Sequence, residues 1–262
     1  MISTLNFTVA MNGQRSFLKD AYVTQPFRII PVGQHKSDAH AYLMIMSSSP
    51  GILSGDAYEY SIRVKENARL QLQSQSYQRL FHMEASATQK MQITLEKGSS
   101  FFFVPHPVVP HKNSRFTSLN RIDMAEGCQL LMSEIITCGR KHHGEVFEFT
   151  SFHNFFEVFH NGRLVLKDNI LLQPKENDLQ AMGMLETYTH QGTLIYSATA
   201  GIPSAPGLAD QVQELLEQEA DILGGVSRLQ HNGLVVRVLG HGGEQLFTLF
   251  QNIQERIWNI LG

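Results

Sequence analysis

The chain has 262 residues, 42% of them hydrophobic and 17% charged, a composition typical of a globular protein with a sizeable core. Its net charge of −3, with no run of basic residues, argues against nucleic acid as the main partner. No segment resembles a signal peptide or a span of about twenty apolar residues, so we expect a soluble cytoplasmic protein that does not enter a membrane. Cys128 and Cys138 are expected to be free, buried thiols, because two cysteines make no disulfide framework.

Short strands separated by turn residues are predicted for most of the chain up to residue 172. Alternating polar and apolar residues indicate strands at 5–10, 58–64, 69–76 and 90–96, and further strands are expected at 27–30, 100–104, 116–122, 155–159 and 163–172. Segment 41–46 is apolar throughout, which predicts burial on both faces of its sheet. The loop after it contains Pro50, Gly51, Gly55 and Asp56, and is either a turn closed by the aspartate or a loop that binds a metal or a phosphate.

Residues 130–149 are predicted to form a strand, a tight loop and a second strand. The loop is bounded by Gly139 and Gly144, and the second strand is expected at 145–149. Glu134 lies inside the first apolar run, where a carboxylate is costly unless it is paired or faces water. This residue therefore predicts either a buried ion pair, for which Arg140 is a candidate, or an internal wet cavity.

The end of the chain changes from strands alone to strands and helices. A strand at 193–199 precedes a helix that has Leu208, Val212, Leu215, Leu216 and Ile222 on one face and is expected to end at Gly224 and Gly225. Asn232-Gly233 predicts a hairpin turn, and a last amphipathic helix begins near Glu244. The fold class is therefore mainly β, with stacked short strands in a β-helix-like or sandwich-like arrangement and two α-helices near the carboxy terminus. We expect one domain over 1–262, in which an all-β body (1–190) carries a β-α-β-β-α tail (191–262).

Histidine is frequent, with 12 residues, but the sequence carries no enzyme signature. The two histidines one residue apart that mark a cupin metal site do not occur, although the adjacent His142 and His143 could both reach one ion from a loop. Nucleophile elbows and glycine-rich phosphate loops do not occur either. Glu134 and Glu145 do not form a convincing glycosidase pair.

Four segments together resemble the urease accessory proteins called UreD or UreH. They are Pro50-Gly-Ile-Leu-Ser-Gly-Asp56, Gln73-Ser-Gln-Ser-Tyr-Gln-Arg79, Phe103-Val-Pro-His-Pro-Val-Val-Pro-His111 and Leu130-Leu-Met-Ser-Glu-Ile-Ile-Thr-Cys-Gly-Arg-Lys-His-His-Gly-Glu-Val-Phe147. The last segment matches the family signature almost position for position. Two departures stand out: Ile52 directly follows Gly51 where the family has a second glycine, and Arg79 replaces the usual lysine.

The resemblance implies a non-enzymatic role in urease maturation. Family members are β-rich with a few helices near the carboxy terminus, and they form a complex with UreF, which recruits the GTPase UreG and docks on apo-urease subunits. It implies a dimeric assembly through UreF, no tightly bound cofactor, and nickel in transit to the urease active site through an internal tunnel.

Residue roles follow from the positions that match the family. Glu134 is the first choice for lining the tunnel, because a carboxylate attracts a hydrated cation while water limits its desolvation cost. Glu145 is second, with structural pairing to Arg140 as the alternative, and Gln78 is a weaker candidate. His142 and His143 have no place in the family pattern and are either a weak metal contact or a polar turn.

Two other functions remain open from the sequence. The chain could be an all-β, cupin-like metalloenzyme that uses His106, His111 and Glu134 as metal ligands. It could also be an interaction module that no longer serves a urease.

Overall fold

The computed structural model of the protein describes residues 2–33, 39–199, 207–230 and 232–261. Within these ranges lie seventeen β-strands in two sheets, followed by two α-helices near the carboxy terminus. The predicted mainly β fold with two carboxy-terminal helices is confirmed.

Sheet A has seven strands. In spatial order they are β14 (Arg163–Leu172), β13 (Ser151–His160), β11 (Arg115–Met124), β8 (Ala87–Leu95), β5 (Ala57–Val64), β1 (Ile2–Asn12) and β2 (Arg15–Val23). The five central strands run parallel, and an antiparallel strand closes each edge.

Sheet B has ten strands. Its main path is β16 (Leu223–Arg228), β17 (Gly233–Gly240), β15 (His190–Ala198), β12 (Gln129–Thr137), β9 (Ser100–Phe103), β6 (Arg69–Ser74), β4 (Ala41–Ser47) and β3 (Phe27–Pro31). Two short strands, β7 (Gln78–Leu80) and β10 (Val108–Pro110), pair with each other, and β10 also pairs with β12.

Between β4 and β13 the chain alternates between the two sheets, beginning with β4 in sheet B and β5 in sheet A and ending with β12 in sheet B and β13 in sheet A. Each pass adds a parallel strand, so the strands stack like the coils of a β-helix while the two sheets face each other as in a sandwich. The core between the sheets is apolar, and on β12 it receives Leu130, Met132 and Ile136.

The two helices, α1 (Leu208–Glu217) and α2 (Gly243–Leu261), cover the outer face of sheet B. Leu131 and Ile135 of β12 point to this side, which explains why β12 is an almost continuous apolar run. In the part of the chain that is described, no helix is long and apolar enough to cross a membrane.

Several details differ from the sequence-based prediction. Residues 145–149 form no strand, because Phe147 has a left-handed backbone (φ 54°) that interrupts extended pairing. Segment 41–46 is fully buried on one face only, and Tyr42 on its other face contacts Trp258 of α2. Gly224 and Gly225 lie in β16 rather than at a helix end. Strand β2, an exposed edge strand with a weak alternation, was missed.

Substitution of Phe250 tests whether packing of α2 on sheet B stabilises the fold. Phe250 is fully buried in the helix–sheet core, so Phe250→Ala is expected to lower the free energy of unfolding by about 3–5 kcal/mol. The exposed neighbour Gln251 provides the control, because Gln251→Ala is expected to change it by less than about 0.5 kcal/mol. Urea unfolding measures both, and equal effects would contradict this packing.

Candidate functional site

A cavity of about 180 Å³ lies between the two sheets. A single buried water needs only about 10–15 Å³ of such space, so the cavity has room for several water molecules or a hydrated ion. Sheet A lines it with polar side chains, Ser118, Asn120 and Asn154, at inward positions where the rest of this core is apolar. Asn120 donates a hydrogen bond to the Asn154 side-chain oxygen (2.7 Å), so the polar wall is internally ordered.

The cavity exists because sheet B is interrupted beside β12. Strand β9 ends at Phe103, which pairs with Met132. It therefore does not extend along β12 as far as Glu134. The chain from 104 to 107 leaves the sheet through Pro105 and Pro107, which lack the backbone donors that a continued ladder needs. The short strands β7 and β10 cover the gap.

The cavity opens to solvent at the interruption of sheet B. Its lining there includes the exposed residues Ser47, Pro50, Gln75 and Ser76. Beside them, His106 shares a 2.8 Å hydrogen bond with the Ser74 hydroxyl and stacks on Phe247 of α2. Tyr77 donates a hydrogen bond to Glu244 (3.2 Å). Burial lowers the pKa of His106, while Glu244 opposes this shift, so the histidine is a neutral group at neutral pH.

Glu134 projects from β12 into the interior end of the cavity. Its Oε2 atom is fully buried and has no hydrogen-bond partner among the described residues. The side chain as a whole retains some accessible surface although protein surrounds it on all sides, so that surface faces the cavity. Of the two alternatives that the sequence left open for this residue, the structure therefore shows the cavity and not an ion pair with Arg140.

Burial raises the pKa of Glu134 to about 8. The Asn154 amide approaches the carboxyl group and lowers the pKa, whereas the negative charge of Asp168 raises it further. The carboxyl group is consequently protonated for the most part at neutral pH. It ionises readily only when a nearby positive charge compensates for the hydration that is lost on burial.

Asp168 lines the cavity and forms an ion pair with the partly exposed Arg237, and sequence reasoning missed both residues. Asp168 lies on β14 at an inward position and lines the cavity, and Arg237 of β17 donates a 2.5 Å hydrogen bond to its Oδ1. The pair joins the edge of sheet A to sheet B across 69 positions of sequence. The sequence does contain a sign of this pair, because each strand has one charged residue among its core-facing positions. Asp168 follows the core-facing Leu166, and Arg237 lies between the core-facing Val235 and Leu239.

Some of the other residues in the family motifs line the cavity and others do not. Pro50, Gly51 and Gln78 line it, and the Gln78 amide donates a hydrogen bond to Gln89 across the cavity (3.2 Å). At Gly51 any side chain would clash with the Arg79 carbonyl oxygen, which explains the glycine. Arg79 itself is exposed and does not line the cavity.

The turn after Gly51 is held by Asp56, whose Oδ2 accepts a hydrogen bond from the Leu53 amide (2.8 Å). Gly55 supplies the left-handed residue of the same turn (φ 78°). This loop is therefore a turn closed by its own aspartate, as one of the two interpretations of the sequence had it.

Glu145 lies outside the cavity and forms a bidentate ion pair with Arg140, in which Arg140 Nε donates to Oε2 (2.9 Å). It also accepts a hydrogen bond from the Lys112 amide (3.2 Å). These contacts, with the arginine first, lower the pKa of Glu145 and keep it ionised. Glu145 thus has the structural pairing that was its alternative role, and we assign it no contact with a cation.

The loop around this pair carries the remaining residues of the central motif. Gly139 (φ 121°) passes close to the Pro110 and Glu145 carbonyl oxygens, and Gly144 (φ 80°) ends a short 3-10 turn at Lys141–His143. His142 and His143 lie in this turn and are exposed. Neither histidine lines the cavity.

The described residues contain no group of three or more His, Cys, Asp or Glu side chains placed to hold a metal ion. His106 lies at the cavity mouth, whereas His111 packs on Phe81 outside it. The cupin-like metal site of His106, His111 and Glu134 is therefore wrong, because these residues do not converge on one point. Cys128 and Cys138 are free and buried, as predicted.

Stability measured against pH tests the environment of Glu134. With a folded pKa of about 8 and an ordinary value of 4.5, the contribution of its carboxyl group to stability is complete below pH 4.5 and is lost as the pH rises through 8. Glu134→Gln does not titrate, so its stability relative to wild type is expected to increase by on the order of a few kcal/mol over this range. The control is Glu59→Gln, an exposed residue, and urea unfolding at several pH values is the measurement. A pH-independent difference would contradict the raised pKa.

Comparison with known proteins places the chain in a family. A family model described as UreD urease accessory protein matches residues 3–261. The chain is 49% identical over 258 residues to "Urease accessory protein UreD" of Flavobacterium johnsoniae, covering 98% of this chain and 93% of that protein. It is 31% identical to the protein of the same name from Acetivibrio thermocellus (98% and 97% covered) and 34% identical to that from Haemophilus influenzae (97% and 97%). The chain therefore belongs to the UreD family of urease accessory proteins.

Proposed function

We propose that this protein is a non-enzymatic scaffold in urease maturation, and that nickel on its way to the urease active site passes through the cavity between its sheets. The observation that carries this proposal is the position of Glu134, a buried carboxylate with a free oxygen atom in a polar space that opens to solvent. Membership of the UreD family supplies the urease context.

The chemistry of the cavity suits an ion in passage. Ni²⁺ is bound by oxygen and imidazole ligands, and conduction requires sites that are weak enough to release it. The cavity offers oxygen atoms from Glu134, Asn120, Asn154 and Ser118, with His106 at the mouth, and no convergent set of three strong ligands among the described residues. Such a site would hold a hydrated cation without trapping it.

The proposed partners are UreF, the GTPase UreG and the apo-urease subunits, with dimeric assembly through UreF. The name of the relatives, urease accessory protein, supports partners linked to urease. Exposed apolar side chains such as Leu164, Leu171, Met182 and Leu223 provide surface for such contacts.

Substitution of Glu134 in cells that carry a urease gene cluster tests the proposal. Glu134→Ala removes the buried carboxylate, so urease nickel content and activity are expected to fall by roughly tenfold, the effect of losing about 1.4 kcal/mol of cation stabilisation. The matched control is Glu59→Ala, a glutamate on the solvent side of sheet A, which is expected to have no effect.

Pull-down of UreF, UreG and urease with each variant separates transport from assembly. The proposal expects Glu134→Ala to retain its partners as well as wild type does while urease lacks nickel. Fully active, nickel-loaded urease with this variant would contradict a transport role for the cavity.

A further inference from the structure

We propose that the cavity between the sheets is also a binding site for a small neutral organic molecule that has a primary amide as its polar head and an aromatic ring as its body. The amide lies beside Glu134 and Thr193, and the ring lies against the aromatic part of the cavity wall. This inference does not depend on the passage of nickel, because it follows from the division of the wall into an aromatic part and a polar part.

Strand register shows that the cavity is elongated. One row of paired, inward-facing residues crosses sheet A from β5 to β14, and every residue in this row lines the cavity: Tyr60, Met91, Asn120, Phe156 and Asp168. Neighbouring strands are about 4.8 Å apart, so the four steps from the first strand to the last span about 19 Å. The cavity is therefore long enough for an aromatic ring that carries a polar group at one end.

The part of the wall at β5 is aromatic. Phe27 of β3 contacts the rings of Tyr58 and Tyr60 edge to face, with ring centroids 4.8 and 5.3 Å apart. Met91 and Phe103, which are also buried, extend this part of the wall. A hydrated ion gains little from apolar side chains, whereas an aromatic ligand gains both the burial of its surface and edge-to-face contacts. This part of the cavity therefore suits an organic ligand.

The polar part of the wall offers hydrogen bonds to the head of the ligand. Oε2 of Glu134 and Oγ1 of Thr193 are buried, and neither has a hydrogen-bond partner among the described residues. The two residues are neighbours across the strands, because Glu134 of β12 pairs with Thr193 of β15. Buried polar atoms are normally paired, so two adjacent oxygen atoms without a partner indicate a ligand that donates hydrogen bonds. The two N–H groups of a primary amide are such donors.

The charges around this part of the cavity favour a neutral head over an anionic one. Burial is the main cause that raises the pKa of Glu134 to about 8, and the negative charge of Asp168 adds to the shift. The protonated carboxyl group both donates and accepts hydrogen bonds, so it matches both the C=O and the N–H groups of an amide. A ligand with an ionised carboxylate would lose its hydration on entry and would be repelled by Asp168.

Fluorine NMR titration of the purified full-length chain with 4-fluorobenzamide, in metal-free buffer at pH 7, tests the inference. Wild type is expected to bind this probe with a dissociation constant of about 0.1–1 mM, an ordinary affinity for a ligand of this size. The anion 4-fluorobenzoate has nearly the same shape, and it is expected to bind at least about tenfold more weakly because it carries a charge and lacks the N–H donors.

Variants of the two oxygen-bearing residues locate the head of the ligand. Thr193→Val removes the hydroxyl group with little change of shape and is expected to weaken binding about threefold to tenfold. Glu134→Leu removes the donor and the acceptor and is expected to weaken binding at least about tenfold, whereas Glu134→Gln keeps both and is expected to stay within about threefold of wild type. The matched control is Thr248→Val on the exposed side of α2, which is expected to leave the affinity unchanged. If Glu134→Leu does not fold, Thr193→Val and its control decide the question.

The absence of binding to wild type at about 10 mM 4-fluorobenzamide would overturn the inference, and so would equal affinity in wild type and Thr193→Val. Equal affinity for the amide and for 4-fluorobenzoate would overturn the assignment of a neutral head. The outcome is independent of the cellular test. If wild type does not bind the amide while Glu134→Ala still starves urease of nickel, this inference fails and the proposed function stands. If the amide binds as expected while Glu134→Ala supports active urease, the organic site exists and the proposed function fails.

Discussion

The burial of the Glu134 carboxyl group is the constraint to which the interior of this protein is fitted. A carboxylate surrounded by protein on all sides costs several kcal/mol unless charge, hydrogen bonds or water compensate for it. The protein meets this cost by interrupting sheet B after Phe103 and by placing Asn154 and other polar side chains opposite. The β12 strand that carries Glu134 packs apolar residues on both faces, Leu130, Met132 and Ile136 toward sheet A and Leu131 and Ile135 toward the helices.

The polar cavity lowers the stability of the fold. A β-helix-like stack does not need a cavity for its stability, because apolar residues in place of Glu134 and Asn154 would pack the core more densely. Retaining acids and amides there leaves a core less stable than it could be, as expected where function opposes packing. Under the proposed function, this space accommodates a hydrated cation on its way to urease, and the oxygen atoms of Glu134, Asn120 and Asn154 supply weak ligands from which the ion is released.

Much of the fold could be predicted from the sequence, because alternation with a period of two and glycine turns report directly on strands. Glu134 could also be singled out, since one acid in an apolar run has only two physical solutions. The sequence could not choose between them. Glu145 is closer than Glu134 to Arg140 along the chain and lies in a loop that does not form the expected strand. The arginine therefore pairs with Glu145, and Glu134 faces the cavity.

The Asp168–Arg237 ion pair could not be predicted from the sequence for a different reason. Whether Asp168 meets Arg237 depends on which strands are neighbours and on their register, and both are set by the packing of two sheets rather than by local pattern. Likewise, the interruption beside β9 is visible only when the lengths of paired strands are compared.

The most direct measurement is anomalous diffraction at the nickel absorption edge from crystals of the protein exposed to NiCl₂. We predict an anomalous peak inside the cavity, beside the Glu134 carboxyl group. Nickel bound at the exposed His142 and His143 alone, with no anomalous signal in the cavity, would contradict the proposed passage of nickel through the cavity.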